Sequence, residues 1–168
     1  MTRAAPADGG LEIRVSLAEQ RLFLLEGGCA VRTYLVSTSK HGAGELRGSY
    51  RTPRGRHVVR AKIGAGAPIG TVFRGRRPTG EIYSEALARA HPGRDWILTR
   101  ILWLSGLEVG RNRLGEVDTM RRYIYIHGTP DSTELGVPGS IGCIRMANAD
   151  IVELFDRVPV GTVVSIEE

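Results

Sequence analysis

Short segments in which apolar and polar residues alternate, separated by glycine-rich turns, constrain the fold of this chain most strongly. The first covers residues 11–17, where leucine, isoleucine and valine alternate with charged or polar residues. Alternation with a period of two predicts a strand that buries one face. A second strand is predicted over residues 21–25, a turn over 26–28 and a third strand over 31–37. The chain is therefore predicted to begin as a β-meander.

The rest of the chain continues this pattern and adds two short helices. Further strands are predicted at four places, residues 57–63, 96–104, 123–126 and 160–166. Ser84 is a suitable cap for a helix over residues 84–90, and Asn148 for a second helix with one apolar face. Glycine supplies 22 of the 168 residues and aromatic residues only 6%, which favours strands and turns over a helical bundle. We expect one mostly β domain over residues 11–168, preceded by a flexible segment over residues 1–10.

The positive charge of the chain is carried almost entirely by arginine. The formal net charge is +5, and Lys40 and Lys62 are the only lysines among the 23 basic residues. Arginine suits partners that carry carboxylates or phosphates. The arginines are scattered, however, and are not interleaved with aromatic residues as in a nucleic-acid groove. A solvated basic surface is the favoured interpretation, and no nucleic-acid partner is expected.

The cysteines and histidines do not form a metal-binding pattern. The two cysteines, Cys29 and Cys143, belong to no C-x-x-C motif and have no histidine at the spacing of a zinc site. A disulfide between them would consume the thiol of Cys143, so we expect both to be free. No run of residues approaches the length of a membrane span, and no transmembrane segment is predicted.

Residues 123–146 form the stretch that carries chemistry. A predicted strand delivers His127 at its end, and a loop rich in glycine, proline and serine leads to Cys143 between Gly142 and Arg145. A cysteine attacks carbonyl groups as the thiolate and needs a base or a cation nearby. His127 is the best base in the sequence, although it lies 16 positions upstream and must be brought close by folding of the loop.

The neighbours of the thiol suit acyl transfer. Gly142 permits close approach of a substrate, and the amides of residues 141–143 are candidate donors to an oxyanion. Arg145 is suited to orient a substrate carboxylate or to hold the loop, and Ser140 to bond the turn or polarise a substrate group. The alternative is that the cysteine is a small core residue and the histidine a surface group. The residues alone therefore indicate a cysteine acyl-transfer enzyme of unknown substrate.

At these residues the chain resembles the catalytic domain of the L,D-transpeptidase (YkuD-type) family. The resemblance rests on His127-Gly128-Thr129, on residues 140–146 with the sequence SIGCIRM, and on Asn148. It extends to four further blocks, residues 20–25, 36–39, 49–55 and 161–166. It covers the chain from about residue 11 to the end.

The resemblance implies a β-sandwich-like domain whose cysteine lies in a cleft under a lid, with residues 75–119 as the source of the lid. Cys143 would be the nucleophile and His127 the general base. Ser140, Gly142, Arg145 and Gly128 would contact the oxyanion or the substrate. The implied substrates are peptidoglycan stem peptides, as acyl donor and as acceptor, in cell wall biogenesis and cell shape. The enzyme would be a monomer that uses no metal or cofactor and is a target of carbapenems.

One position departs from the family motif. Ile141 stands where the family usually has a histidine between the serine and the glycine. The general base in the family corresponds to His127, so the chemistry is expected to survive. Two alternatives remain open: an L,D-carboxypeptidase or other hydrolase that uses the same site, and a non-catalytic module that binds the cell wall.

The expected compartment is the periplasm or the cell wall, where the family acts. Residues 1–15 contain neither an apolar signal region nor a cleavage site. We therefore expect an export signal upstream of Met1, and a cytoplasmic location if Met1 is the true start.

Overall fold

The structure, a computed structural model, describes residues 10–168, and within them it contains ten strands and two α-helices. The strands are β1 (Leu11–Ser16), β2 (Arg21–Glu26), β3 (Cys29–Ser37), β4 (Gly55–Ile63), β5 (Thr71–Arg74), β6 (Arg77–Ile82), β7 (Ile97–Gly106), β8 (Tyr125–Thr129), β9 (Ile144–Ala147) and β10 (Val163–Glu167). The helices are α1 (Glu85–Ala90) and α2 (Asn148–Arg157), and a single 3₁₀ turn covers Gly115–Val117.

All ten strands belong to one sheet that closes on itself. Its order is β4-β10-β1-β2-β3-β9-β8-β7-β5-β6, and an additional pairing joins β4 to β7. Eight strands, from β4 to β7 in this order, therefore form a ring, while β5 and β6 extend from β7 as a hairpin. Most neighbours are antiparallel, but β1 pairs with β10 and β8 pairs with β9 in parallel.

Two apolar clusters lie on opposite faces of β7, β8 and β9. The larger one is built by alternate residues of the ring strands and by the apolar face of α2, including Ile126, Ile144 and Leu154, all fully buried. The smaller one contains Phe73 from the hairpin and Tyr125 from β8, with Cys143 packed against it. Burial of apolar area on both faces holds the central strands in register and leaves the cysteine on the face that the hairpin borders.

The predicted fold class is confirmed: the chain is mostly β with two short helices. The opening meander is β1, β2 and β3, and the strands predicted over residues 57–63, 96–104 and 160–166 correspond to β4, β7 and β10. The cap of the first helix is also confirmed, because the Ser84 hydroxyl accepts a hydrogen bond from the Leu87 amide at 3.0 Å.

Other local predictions were wrong. His127 was placed at the end of its strand, but β8 continues to Thr129 because it pairs with β7 and β9 on both sides. Asn148 was placed as the cap of α2, but the cap position is Ala147 and no side chain caps the helix. The strands β5, β6 and β9 were not predicted, because they are four to six residues long and lack a clear alternation.

The segment predicted as the source of a lid, residues 75–119, contains β6, α1 and β7. Since β7 is the buried strand between β8 and β4, it belongs to the ring, and for the residues before and after β7 the lid stays a prediction. The segment predicted to be flexible lies outside the described residues except for Gly10, whose carbonyl accepts a hydrogen bond from the Gly27 amide at 3.1 Å. Across residues 10–168 there is no helix with the length and apolar character needed to cross a membrane.

A histidine is fully buried in the wall of the ring. His57, on β4, donates from Nδ1 to the Gly55 carbonyl at 3.0 Å, and its Nε2 lies 2.9 Å from Oγ1 of Thr119. A carbonyl can only accept, so Nδ1 carries the proton and Nε2 accepts from the threonine. Burial lowers the pKa of His57 to about 4, against the opposing effect of its bond to Gly55. The folded protein therefore holds this imidazole neutral.

We expect His57 to make stability depend on pH. The unfolded chain takes up a proton near the ordinary histidine pKa of about 6.5, while the folded chain resists it down to about pH 4. The free energy of unfolding should therefore fall as pH drops from 6.5 to 4, by at most about 3 kcal/mol from this residue. Urea unfolding of wild type and His57→Gln across this range measures it, with the exposed His91→Gln as control. Equal pH slopes for wild type and His57→Gln would contradict the assignment.

Candidate active site

Parallel pairing of β8 with β9 brings the predicted histidine and cysteine onto one face of the sheet. Ile126 pairs with Ile144 and His127 with Arg145. Because side chains alternate along a strand, His127 shares its face with Tyr125 on β8 and with Arg145 on β9. Cys143, two residues before Arg145, lies beside Tyr125 on the same face. Strand pairing therefore brings His127 and Cys143 to the same face of the sheet, although 16 positions separate them in the sequence.

The imidazole of His127 is buried and held in one tautomer. Its side chain is 1% exposed, and Nδ1 lies 2.6 Å from the carbonyl oxygen of Gly128. Since a carbonyl only accepts, Nδ1 carries the proton and Nε2 has its lone pair free to take another. Burial lowers the pKa of His127, and the bond to Gly128 opposes that shift. The ring is therefore a neutral base with a fixed orientation.

Neighbouring atoms leave no room for a side chain at Gly128. A Cβ at this position would lie 2.5 Å from Oδ1 of Asn148 and 2.6 Å from the carbonyl of Leu98. Asn148 is in turn held by Thr99, whose hydroxyl donates to Oδ1 at 2.5 Å. Thr99 has φ of 75°, a rare conformation for a β-branched residue, at an irregularity in the pairing of β7. Gly128, whose carbonyl orients the imidazole of His127, is therefore packed against β7 at the point where Thr99 has a strained backbone conformation.

The thiol of Cys143 is held by the backbone of β8 and of the turn before it. The Tyr125 amide donates to Sγ at 3.3 Å, and the thiol donates to the Tyr123 carbonyl at 3.4 Å. Burial raises the pKa of Cys143 to about 12, although the Tyr125 amide favours the thiolate. With the pKa of His127 lowered, the resting pair is a neutral thiol and a neutral imidazole. A proton must therefore leave the sulfur as it attacks, by general base catalysis.

The turn before Cys143 is organised by Ser140, whose side chain is almost fully buried. Its hydroxyl donates to the Cys143 carbonyl at 2.6 Å and accepts from the Gly142 amide at 3.2 Å. Of the two roles predicted for Ser140, the structure shows the bonding of the turn. Gly142 has φ of 136°, and a Cβ there would lie 3.1 Å from Ile124. Only glycine fits this turn without strain.

Two remote segments hold the loop in place. The Thr38 carbonyl accepts from the amides of Gly139 and Ser140 at 2.8 and 2.9 Å. The buried Thr52 hydroxyl donates to the Gly142 carbonyl at 2.9 Å and accepts from the Ser39 amide at 3.0 Å. Blocks 36–39 and 49–55, which carry part of the family resemblance, thus support the cysteine loop.

Arg145 lies half-buried beside the loop. One of its terminal nitrogens donates to the Ser37 hydroxyl at 2.9 Å, and the group packs against Gly139, where a Cβ would lie 2.5 Å from it. Its Nε is buried and has no hydrogen-bond partner within the described chain. The positive charge of the guanidinium acts on the thiol and lowers the pKa of Cys143, against the larger effect of burial.

Sequence reasoning missed several groups around the thiol. Arg76, at the tip of the β5–β6 hairpin, lies 4.6 Å from the ring centroid of Trp103 and 4.8 Å from that of Tyr123. It also donates to the Tyr125 hydroxyl at 3.0 Å. The negative charge of the exposed Asp95 carboxylate disfavours the thiolate and helps to raise the pKa of Cys143. Alternation along β8 could have indicated Tyr125, because it lies two residues before His127.

Ile141 is 47% exposed at the edge of the loop, with its side chain directed away from the core. Among residues 10–168, no group of three or more His, Cys, Asp or Glu side chains is arranged to hold a metal ion.

The two cysteines do not form a disulfide. Cys29 is exposed and Cys143 half-buried, and both are free thiols.

Comparison with known sequences identifies the family of this domain. The model of the YkuD family, the L,D-transpeptidase catalytic domain, matches residues 11–166. The probable L,D-transpeptidase ErfK/SrfK of Salmonella typhimurium is 53% identical over 45 residues, 27% of this chain and 15% of that protein. The probable L,D-transpeptidase YbiS of Escherichia coli is 49% identical over 41 residues, 24% of this chain and 13% of that protein. The matched parts thus span well under a third of those relatives.

Solved structures of the same class share the fold. An L,D-transpeptidase from Mycobacterium smegmatis superposes with a TM-score of 0.56 at 20% identity, covering 95% of this chain and 60% of that one. L,D-transpeptidase 3 from Mycobacterium tuberculosis, in complex with a faropenem-derived adduct, gives a TM-score of 0.57 at 16% identity, covering 94% of this chain and 60% of that one.

The raised pKa of Cys143 predicts slow alkylation at neutral pH. Because the thiolate is the reactive form, a thiol whose pKa is about 12 should react with iodoacetamide at a rate that keeps rising above pH 9. The exposed Cys29 provides a reference thiol within the same molecule. Peptide mass spectrometry of protein sampled from pH 6 to 10 measures both rates. Faster alkylation of Cys143 than of Cys29 at pH 7 would contradict the neutral pair.

Proposed function

The chain belongs to the L,D-transpeptidase (YkuD) catalytic domain family, and from this we propose that Cys143 forms a thioester with peptidoglycan stem peptides. The observation that carries the proposal is the shared face of β8 and β9. There a histidine with a free Nε2 and a cysteine loop held by Ser140 and Thr52 lie together. The product is a cross-link between stems or an exchanged terminal D-residue.

The first half-reaction forms the acyl-enzyme. Sγ of Cys143 attacks the carbonyl carbon of the L-centre of the donor's diamino acid, and the thiol proton passes to Nε2 of His127. The bond from that carbon to the nitrogen of the terminal D-residue breaks. The leaving amine takes the proton from His127, and a thioester remains on the sulfur.

The second half-reaction releases the acyl group. An acceptor amine, such as the side-chain amine of a neighbouring stem, attacks the thioester and gives a proton to His127. A new amide bond forms, the carbon–sulfur bond breaks, and His127 returns the proton to the sulfur. Water in place of the amine gives a free carboxylic acid, which is the hydrolase alternative.

The oxyanion of each step is assigned to the backbone amide of Cys143. The Gly142 amide already donates to the Ser140 hydroxyl, so it is less available to a substrate. Preorganised backbone donors of this kind stabilise a developing charge without reorganisation. Arg145, whose half-buried guanidinium lies beside the cysteine loop, is assigned to a substrate carbonyl or carboxylate. Ile141 contributes only apolar surface and takes no part in proton transfer.

The proposed place of action is the periplasm or the cell wall, because polymerised stem peptides occur there. The proposed active form is a monomer, since every group assigned above comes from one chain. No nucleic-acid partner, metal or cofactor enters the proposed reaction.

Reaction with a carbapenem tests whether Cys143 forms an acyl-enzyme. Incubation of the wild type with imipenem should add the mass of the opened lactam to one site, because the thiolate attacks the strained carbonyl. Cys143→Ala should show no adduct, and His127→Ala should acylate about 10²–10⁴ times more slowly, the usual worth of a general base. Intact-protein mass spectrometry measures the adduct, and circular dichroism controls for folding. A folded wild-type protein without an adduct would overturn the proposal.

Product analysis separates transfer from hydrolysis. With a purified stem tetrapeptide as the only substrate, the proposed transpeptidase should yield a dimer and release the terminal D-residue. Chromatography with mass detection resolves dimer from shortened monomer. If the shortened monomer is the only product while the imipenem adduct forms, the hydrolase alternative replaces transfer.

A further inference from the structure

A small groove borders the cysteine loop. It has a volume of about 230 Å³ and is lined by Arg47, Tyr50, Arg121, Tyr123 and Ile141, with Arg122 and Ile124 at its base. Larger grooves, of about 390, 500 and 680 Å³, are lined by no residue of the loop that leads to Cys143. The small groove differs from them because Ile141 of that loop forms part of its lining.

The groove adjoins the reactive sulfur through two of its walls. Tyr123, on one wall, accepts the thiol hydrogen bond of Cys143 through its carbonyl at 3.4 Å. Ile141, on the other wall, lies two residues before Cys143 in the chain. Ile124 packs against Gly142, within 3.1 Å of where a Cβ would stand. A ligand in the groove would thus extend towards the thioester position.

Arg122 forms the fixed base of the groove. Its guanidinium donates to the carbonyls of Gly44 and Glu45 at 3.2 Å and to that of Arg51 at 2.5 Å. These bonds tie the loop of residues 44–51 to the turn before β8. The N–H groups of Arg122 are therefore occupied by backbone carbonyls. Its positive charge acts on the groove, but its guanidinium is not free to hydrogen-bond a ligand.

Arg47 and Arg121 differ from Arg122 because their guanidinium groups are uncommitted. Both side chains are exposed, and within residues 10–168 neither guanidinium has a hydrogen bond or an ion pair. Some other exposed arginines of this chain, such as Arg32 and Arg111, are paired with glutamates. Two free guanidinium groups on one groove form a site for an anion.

The groove also exposes large apolar surface. Tyr50 is 58% exposed, Tyr123 54% and Ile141 47%. Three such side chains beside two free arginines combine apolar contact surface with positive charge in one groove. The isoleucine at position 141 thereby receives a role: it supplies an apolar edge to the groove where the family motif usually has an imidazole.

We propose that this groove binds a carboxylate of the stem peptide through Arg47 and Arg121, flanked by Tyr50, Tyr123 and Ile141. The inference rests on the proposed function for the substrate class. Two sources supply such a carboxylate beside the thioester: the terminal D-residue of the acyl donor and the acceptor stem. Both present the same chemistry, a carboxylate on a short apolar arm.

Binding to a variant that cannot react provides the test. In the Cys143→Ala background, isothermal titration would compare a stem tetrapeptide with a free C-terminal carboxylate, its C-terminal amide, and the corresponding acid and amide of the acceptor tripeptide. Arg47→Gln/Arg121→Gln should weaken binding of at least one acid about tenfold, the worth of two partly exposed charge contacts. The C-terminal amide of that peptide should bind the protein with Arg47 and Arg121 intact about as weakly as the acid binds the double variant. Added salt should shrink the difference.

The peptide that responds identifies the source: the tetrapeptide acid indicates the leaving D-residue, and the tripeptide acid indicates the acceptor. Arg21→Gln/Arg157→Gln removes the same charge at two exposed positions outside the groove and should leave binding unchanged. Equal weakening by this control, no weakening by the groove variant, or no saturable binding of either acid would each overturn the proposal. The proposed acyl transfer fails on a different readout, the absence of an imipenem adduct on the wild type.

Discussion

Ile126 pairs with Ile144, and Gly128 with Met146, in two parallel strands at the centre of the ring. The isoleucines and the methionine are fully buried in the larger core, so a slip of one residue would expose them and turn His127 inward. Hydrophobic burial on one face of these strands thus fixes the register on the other face. The position of the histidine relative to the cysteine follows from core packing.

Parallel strands need a crossover, and here that connection is the cysteine loop itself. Its path is determined by hydrogen bonds from outside the loop, with the Thr38 carbonyl and the Thr52 hydroxyl, and by packing of the Arg145 side chain against Gly139. Gln20 extends this support, because its side chain bonds both the amide and the hydroxyl of Thr38. A loop fastened at so many points has lost its conformational entropy during folding, before any substrate binds.

Burial also sets the charge state of the site. Both reactive groups lose water, so the thiol pKa rises and the imidazole pKa falls, and the neutral pair is favoured at rest. Two arginines, Arg122 and Arg145, act on the sulfur through their charge and lower the pKa of Cys143, against the larger effect of burial. Positive charge is therefore in place for the moment when the sulfur becomes anionic.

The sequence by itself determined the mostly β class, the approximate positions of seven strands and the residues expected to react. Period-two alternation and residue chemistry are local properties, readable without knowing contacts. Only the tertiary structure decided the short strands β5, β6 and β9, whose pairing depends on partners distant in the chain. It also decided that Asn148 packs against Gly128 instead of capping α2, and that Arg47, Arg121 and Ile141 line one groove. These last contacts join residues separated by up to about a hundred positions, and no local pattern carries that information.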